Sequence, residues 1–191
     1  MLLKIHPSTE QIEPQRFEWY DDTYDKGYQG VVDVLQLPGE DFALISVQRS
    51  SRVIVHDLDG GVKRGEVDLG GRGGNPTLQF GNADGEIWAS DYDTLVVLRA
   101  NHLQILRRAL LQEASAGTRQ FIGDYAFQPD QDICVVARPF SHDIVGIDTV
   151  GLKVKASARL GRQPLEVAAL AHGRVVARDW KTGDVLHGRL E

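Results

Sequence analysis

Apolar runs and polar corners alternate in a fixed order from residue 30 to the end of the chain. Residues 42–47 (FALISV) are mostly apolar, a polar corner follows at 48–51 (QRSS), and Val53, Ile54 and Val55 lead to His56-Asp57. Asp59-Gly60-Gly61 supplies a turn, because glycine tolerates positive φ and aspartate bonds its own backbone. Residues 62–69 form a third run, and residues 30–37 (GVVDVLQL), ahead of Pro38-Gly39, read as an inner strand. Runs rich in β-branched residues and bounded by turn residues predict strands. The order returns with strands predicted at 76–80, 86–90 and 94–99 around a corner at 91–93. It returns again at 124–127, 132–137, 143–148 and 152–160 with a corner at 138–141, and at 164–170, 173–177 and 184–190 with a corner at 178–182. The second strands start near residues 42, 86, 132 and 173, about 44, 46 and 41 residues apart, which is the length of a four-stranded propeller blade.

The predicted fold is all-β and β-propeller-like, with about four blades of four strands. A lone four-stranded sheet leaves both faces uncovered, so blades must stack, and the second strand of each unit is the most apolar, as a strand sandwiched between sheets should be. Residues 1–191 read as one domain, with blades at 30–75, 76–121 and 122–163 and a partial blade at 164–191. Residues 1–29 carry two extended runs, 2–6 and 16–20, punctuated by Pro7 and Pro14. These read as N-terminal strands that close the last blade and so remove free sheet edges. The alternatives are a half-propeller completed by a dimer, and a β-sandwich, which also gives short strands at regular spacing.

The chain resembles the YVTN, quinoprotein-like and WD40-like propellers. In those families an apolar strand, a polar corner, a V-x-V-x-D strand and a glycine turn recur; residues 54–57 (IVHD) and 145–148 (VGID) carry that strand, and Thr182-Gly183 resembles a blade turn. No WD dipeptide closes a blade and no literal YVTN motif is present. The resemblance implies that the corners, and the connections between blades, gather on one face around a central channel. It transfers no catalytic residue.

Composition narrows the function. The net charge of −6 argues against a general affinity for nucleic acid or anionic membrane. The single cysteine, Cys134, excludes an intrachain disulfide framework and a cysteine-based zinc site; it fits a reducing, cytoplasmic setting and reads as a buried thiol. No stretch resembles a signal peptide or a membrane span. The loop at 20–30 offers Asp21, Asp22 and Asp25 but lacks the order of an EF-hand, so it reads as a solvated entry loop. The stretch 70–75 (GGRGGN) lacks the lysine and following helix of a phosphate loop and reads as a mobile connection, with Arg72 at its tip. Residues 103–116 read as a strand to about Ala109 and then a loop or short helix.

The six histidines show no metal-ligand spacing, and no G-x-S-x-G elbow occurs, so no catalytic residue, metal site or cofactor is assigned. The candidate binding residues are Arg49, Arg52, Arg72, Asp91, Tyr92, Asp93, Arg138, His142, Arg178, Asp179 and Trp180. Arg49, Arg138 and Arg178 look like one repeated position just after the second strand, with Asp91 in the corresponding place of the remaining blade. Arginine suits bidentate recognition of carboxylate or phosphate, and equally suits an ion-pair ring. Trp180 reads as exposed and Trp88 as core. The expected function is a non-enzymatic scaffold that binds a protein or peptide partner through this Arg, Asp, Tyr and Trp face. One alternative is an enzyme or a binder of a small anionic or sugar-like ligand at the channel mouth, with Asp91, Asp93, His142 and Asp179 as its acids and bases. Another is an assembly module that forms a homodimer.

Overall fold

The structure, a computed structural model, describes the backbone of residues 2–6 and 11–15, and residues 30–100, 102–111 and 121–191 with their side chains. The loop at 20–29 with its three aspartates, the predicted strand at 16–20 and the segment 112–120 lie outside the described residues. The chain divides into two compact units, residues 1–78 and 79–191.

In the first unit, β1 (Leu2–His6) and β2 (Gln11–Gln15) pair with each other as an antiparallel hairpin. β2 lies ahead of the predicted strand at 16–20, and it contains Pro14, opposite Leu3. Both strands of a two-stranded sheet are edges, where a residue without an N–H is tolerated. The four-stranded sheet of this unit runs in the order β3 (Val31–Gln36), β4 (Phe42–Val47), β5 (Arg52–Asp57), β6 (Lys63–Asp68). Ile45, Val47 and Ile54 form its apolar cluster, with Val31 against them.

The second unit holds three sheets. One contains β7 (Leu78–Phe80, beginning at the boundary residue), β8 (Glu86–Asp91), β9 (Thr94–Arg99) and β10 (Gln104–Leu110). The next contains β11 (Asp124–Phe127), β12 (Ile133–Arg138), β13 (Asp143–Asp148) and β14 (Val154–Arg159). The last has three strands, β15 (Pro164–Ala169), β16 (Arg174–Asp179) and β17 (Val185–Arg189). Every observed pairing is antiparallel between consecutive strands, the pattern of a meander.

Packing explains why the second strands read as unbroken apolar runs. In β12, Cys134 and Val136 join a cluster with Trp88, Leu95 and Val97 of the preceding sheet. The intervening Val135 and Ala137 join a different cluster with Val167, Val175 and Ala177 of the following sheet. Successive side chains of a strand point to opposite faces, so a strand covered on both sides is apolar at every position. Trp88 is fully buried, meets Phe127 edge-on at 5.1 Å, and accepts at its carbonyl a hydrogen bond from the Tyr125 hydroxyl at 2.7 Å. Cys134 is also fully buried, and that burial pushes its thiol up, away from the reactive thiolate.

Two aspartate devices repeat. At the end of β5, Asp57 Oδ1 accepts the N–H groups of Asp59 and Gly60. At the end of β13, Asp148 accepts those of Gly151 and Lys153. These are the aspartates of the V-x-V-x-D pattern, and their task is to build the turn that follows. On the inner strands, Asp33 accepts the N–H of Leu78 and Asp124 that of Val167, tying each inner strand to the chain about 44 residues on.

Candidate functional site

The corners of the second unit carry their aromatic rings beside a layer of buried charged groups. Asp91 ends β8 and Thr94 begins β9, leaving a two-residue corner, Tyr92-Asp93. Asp91 and Asp93 are buried, and Thr94 Oγ1 donates to Asp93 Oδ1 at 3.2 Å. The N–H of Ile122 donates to the Tyr92 carbonyl at 2.6 Å, and that of Gly123 to the Ala137 carbonyl at 3.0 Å, so the connection through 121–123 runs along these corners. In the next sheet, Arg138 and Asp143 face each other across the register and are both buried. The guanidinium grips the carboxylate with two parallel bonds, Nε to Oδ1 at 2.8 Å and Nη2 to Oδ2 at 2.5 Å. In the last sheet, buried Asp179 accepts from the N–H groups of Lys181 and Thr182, the Thr182 hydroxyl and the N–H of Gln163. These donors, the Thr182 N–H first, pull its carboxyl down to about 2.

Four rings stand on this layer. Phe121 lies 5.7 Å from Tyr92, 5.8 Å from Phe140 and 6.1 Å from Trp180, and Phe140 lies 5.7 Å from Trp180. All are within the range of favourable ring pairs. Phe140 and Trp180 remain 39% and 45% exposed. His142, exposed and at φ 59°, completes the Phe140 corner.

In the first unit, the β4–β5 corner forms one wall of an open pocket of about 570 Å³. Arg49, Arg52 and Arg72 line it together, with Lys63 and Glu66 of β6. The glycine-rich connection at 70–75 is bonded to this corner: Arg49 N–H donates to the Gly74 carbonyl at 2.9 Å, and Gly73 N–H to Ser51 Oγ at 2.9 Å. Gly73, at φ 72°, passes so close that a Cβ there would lie 3.2 Å from the Arg49 carbonyl. The sequence reading of this stretch as a mobile connection is thus replaced by a bonded one.

The three corner arginines are not equivalent. Arg138 is the last residue of β12, whereas Arg178 lies inside β16, with Asp179 after it. One residue of offset turns a side chain to the opposite face of a sheet. Arg178 accordingly grips Glu166 of β15, with bonds of 2.8 and 2.6 Å. The true counterparts at the strand ends are Asp91, Arg138 and Asp179. Asp179, proposed from sequence as an acid or base, is a turn-builder whose proton is already gone far below neutrality. The sequence reading missed Phe121 and Phe140. The signal was an aromatic residue at three successive corners, Tyr92, Phe140 and Trp180. Among the described residues no group of three or more His, Cys, Asp or Glu is placed to hold a metal ion.

No protein-family model and no curated protein matches this sequence. Solved structures do match its fold. The β-propeller domain of Cps50 (Swd1) from Myceliophteria thermophila superposes with a TM-score of 0.67 at 10% identity, over 93% of this chain and 58% of its own. Sqt1 of Saccharomyces cerevisiae gives 0.65 at 13%, over 96% of this chain and 54% of its own, and the RRP9 WD40 repeats give 0.62 at 12%, over 82% and 47%. The chain has a WD40-like β-propeller fold, and it spans about half the length of these structures. No helix among the described residues is long and apolar enough to cross a membrane.

Proposed function

We propose that this chain is a non-catalytic scaffold that docks a protein or peptide partner on the aromatic corners of its second unit. The observation that carries the reading is the group of four rings with Phe140 and Trp180 left open to solvent. Aromatic side chains give large contact area at low entropic cost and dominate the energetics of interfaces. Beneath them the Arg138–Asp143 fork and the four-donor Asp179 hold the corners rigid, so little ordering is needed on binding. WD40-like propellers are typically interaction scaffolds, which agrees with this use of the corners.

The test is to place a photo-crosslinking residue at position 140, identify the captured protein from cells, and titrate the purified pair. Phe140→Ala and Trp180→Ala are each expected to weaken binding by at least about tenfold, as truncated anchor residues do. Val154→Ala, an exposed change on β14, is expected to leave it unchanged. Full affinity in both aromatic variants would remove this face from the function.

A further inference from the structure

The pocket of the first unit concentrates positive charge on a chain whose net charge is −6. Among the described residues, Arg49, Arg52, Arg72 and Lys63 line it, against one carboxylate, Glu66. Glu66 is held by Lys63 at 2.6 Å and Arg52 at 3.4 Å, and those partners keep its carboxyl below the ordinary range. Two hydroxyls join them. Ser50 Oγ accepts the N–H of Arg52 at 3.1 Å, and Ser51 Oγ accepts that of Gly73. In both bonds the serine oxygen is the acceptor, so its O–H remains able to donate.

We propose that this pocket binds a phosphomonoester group carried on a larger ligand. The donors come from three separate stretches: the β4–β5 corner, β6 and the 70–75 connection. A planar carboxylate is matched by a single guanidinium fork, whereas cations and hydroxyls converging from several directions suit a tetrahedral dianion. A free phosphate ion fills only a fraction of 570 Å³. Val47 and Ile54, both buried, also line the pocket and offer an apolar wall for the remainder of the ligand. The proposal concerns a different unit from the aromatic corners and stands or falls separately from them.

Isothermal titration calorimetry of the full chain, in low salt, tests this with four probes: inorganic phosphate, glucose 6-phosphate, a glycine-flanked phosphoserine peptide and its unphosphorylated form. Saturable binding by a phosphorylated probe is expected, weakening as salt rises, with none by the unphosphorylated peptide. Tighter binding of the phosphopeptide than of glucose 6-phosphate supports a modified protein as the source; the reverse order supports a small metabolite. The pair Arg49→Gly with Arg72→Glu is expected to cost at least tenfold. Glu66→Gln frees Lys63 and Arg52 from their carboxylate and is expected to tighten binding about threefold, a readout that survives if the arginine pair fails to fold. No saturable binding by any phosphorylated probe, preference for inorganic phosphate alone, or indifference to both sets of substitutions would overturn the proposal.

Discussion

At the scale of single residues, aspartate is the structural specialist of this chain. Asp57, Asp148 and Asp179 each accept backbone N–H groups of the turn that follows them, and all three carboxyls lie below their ordinary range. The largest causes are the N–H groups of Gly60, Gly151 and Thr182 respectively. The consequence for pH has a definite sign. A carboxyl depressed in the folded state contributes stability above its unfolded-state value of about 4, and that contribution disappears as the pH falls through the folded value. For Asp179 the window therefore runs from about pH 4 down to about 2. Thermal melts of the native chain and of Asp179→Asn across that window are expected to differ in slope, the variant losing less on acidification. Asp179→Ala, which also removes the acceptors, is expected to melt several degrees lower at neutral pH. Equal slopes for the native chain and the Asn variant would refute the assignment. The aspartates of the V-x-V-x-D pattern were legible in the sequence because a turn needs acceptors at fixed local offsets. The fate of Arg178 was not. An arginine at a strand end belongs equally well to strand or corner by polarity, and one residue decides which face it joins.

At the scale of elements, the strands were legible because sandwiched sheets write themselves as continuous apolar runs. β4, β9, β11 and β13 begin and end where the sequence pattern puts them. The aromatic corners were only half legible. Trp180 announces itself on a polar corner, but Phe121 becomes meaningful only when the chain brings it to Tyr92, Phe140 and Trp180, a relation no local pattern records. The same connection explains a glycine. A Cβ on Gly123 would run into the Leu165 carbonyl and lie 3.0 Å from Leu165 Cα, so β15 and the segment entering β11 approach backbone to backbone. Gly123→Ala must push them apart and is expected to cost about 1–3 kcal/mol, in the range of overpacked cores. Chemical denaturation would read this directly, and a change below about 0.5 kcal/mol, the level of ordinary surface substitutions, would contradict the close approach.

At the scale of the whole molecule, the last sheet has, among the described residues, one strand fewer than the three four-stranded sheets, and β17 is its outer member. The N–H of Leu190 points inward to the Gly173 carbonyl, whereas that of Glu191 points outward, to the Ser157 carbonyl. Alternation then turns the N–H of His187 outward as well. An edge of this kind invites another strand. If that strand comes from a second copy, light scattering will show mass rising above 21.1 kDa with concentration, and His187→Pro, which deletes an outward donor, will suppress the rise. A mass fixed at 21.1 kDa, with or without the substitution, would exclude a second copy as the source of that strand.

The corners carry one further implication. Arg49, Tyr92 and His142 sit in the left-handed region, at φ 55°, 53° and 59°, whereas the last sheet places Gly183 in that conformation at φ 75°. A side chain there costs roughly 1–2 kcal/mol, more than the flexibility that glycine would add to the unfolded chain. Three of four corners thus hold the molecule below the stability within its reach, and at each of them a side chain capable of recognition occupies the strained seat. Selection for durability alone would drift these positions toward glycine. If these corners dock partners as proposed, robustness and recognition compete there, and a version stabilised by glycine at these positions would be expected to bind more weakly.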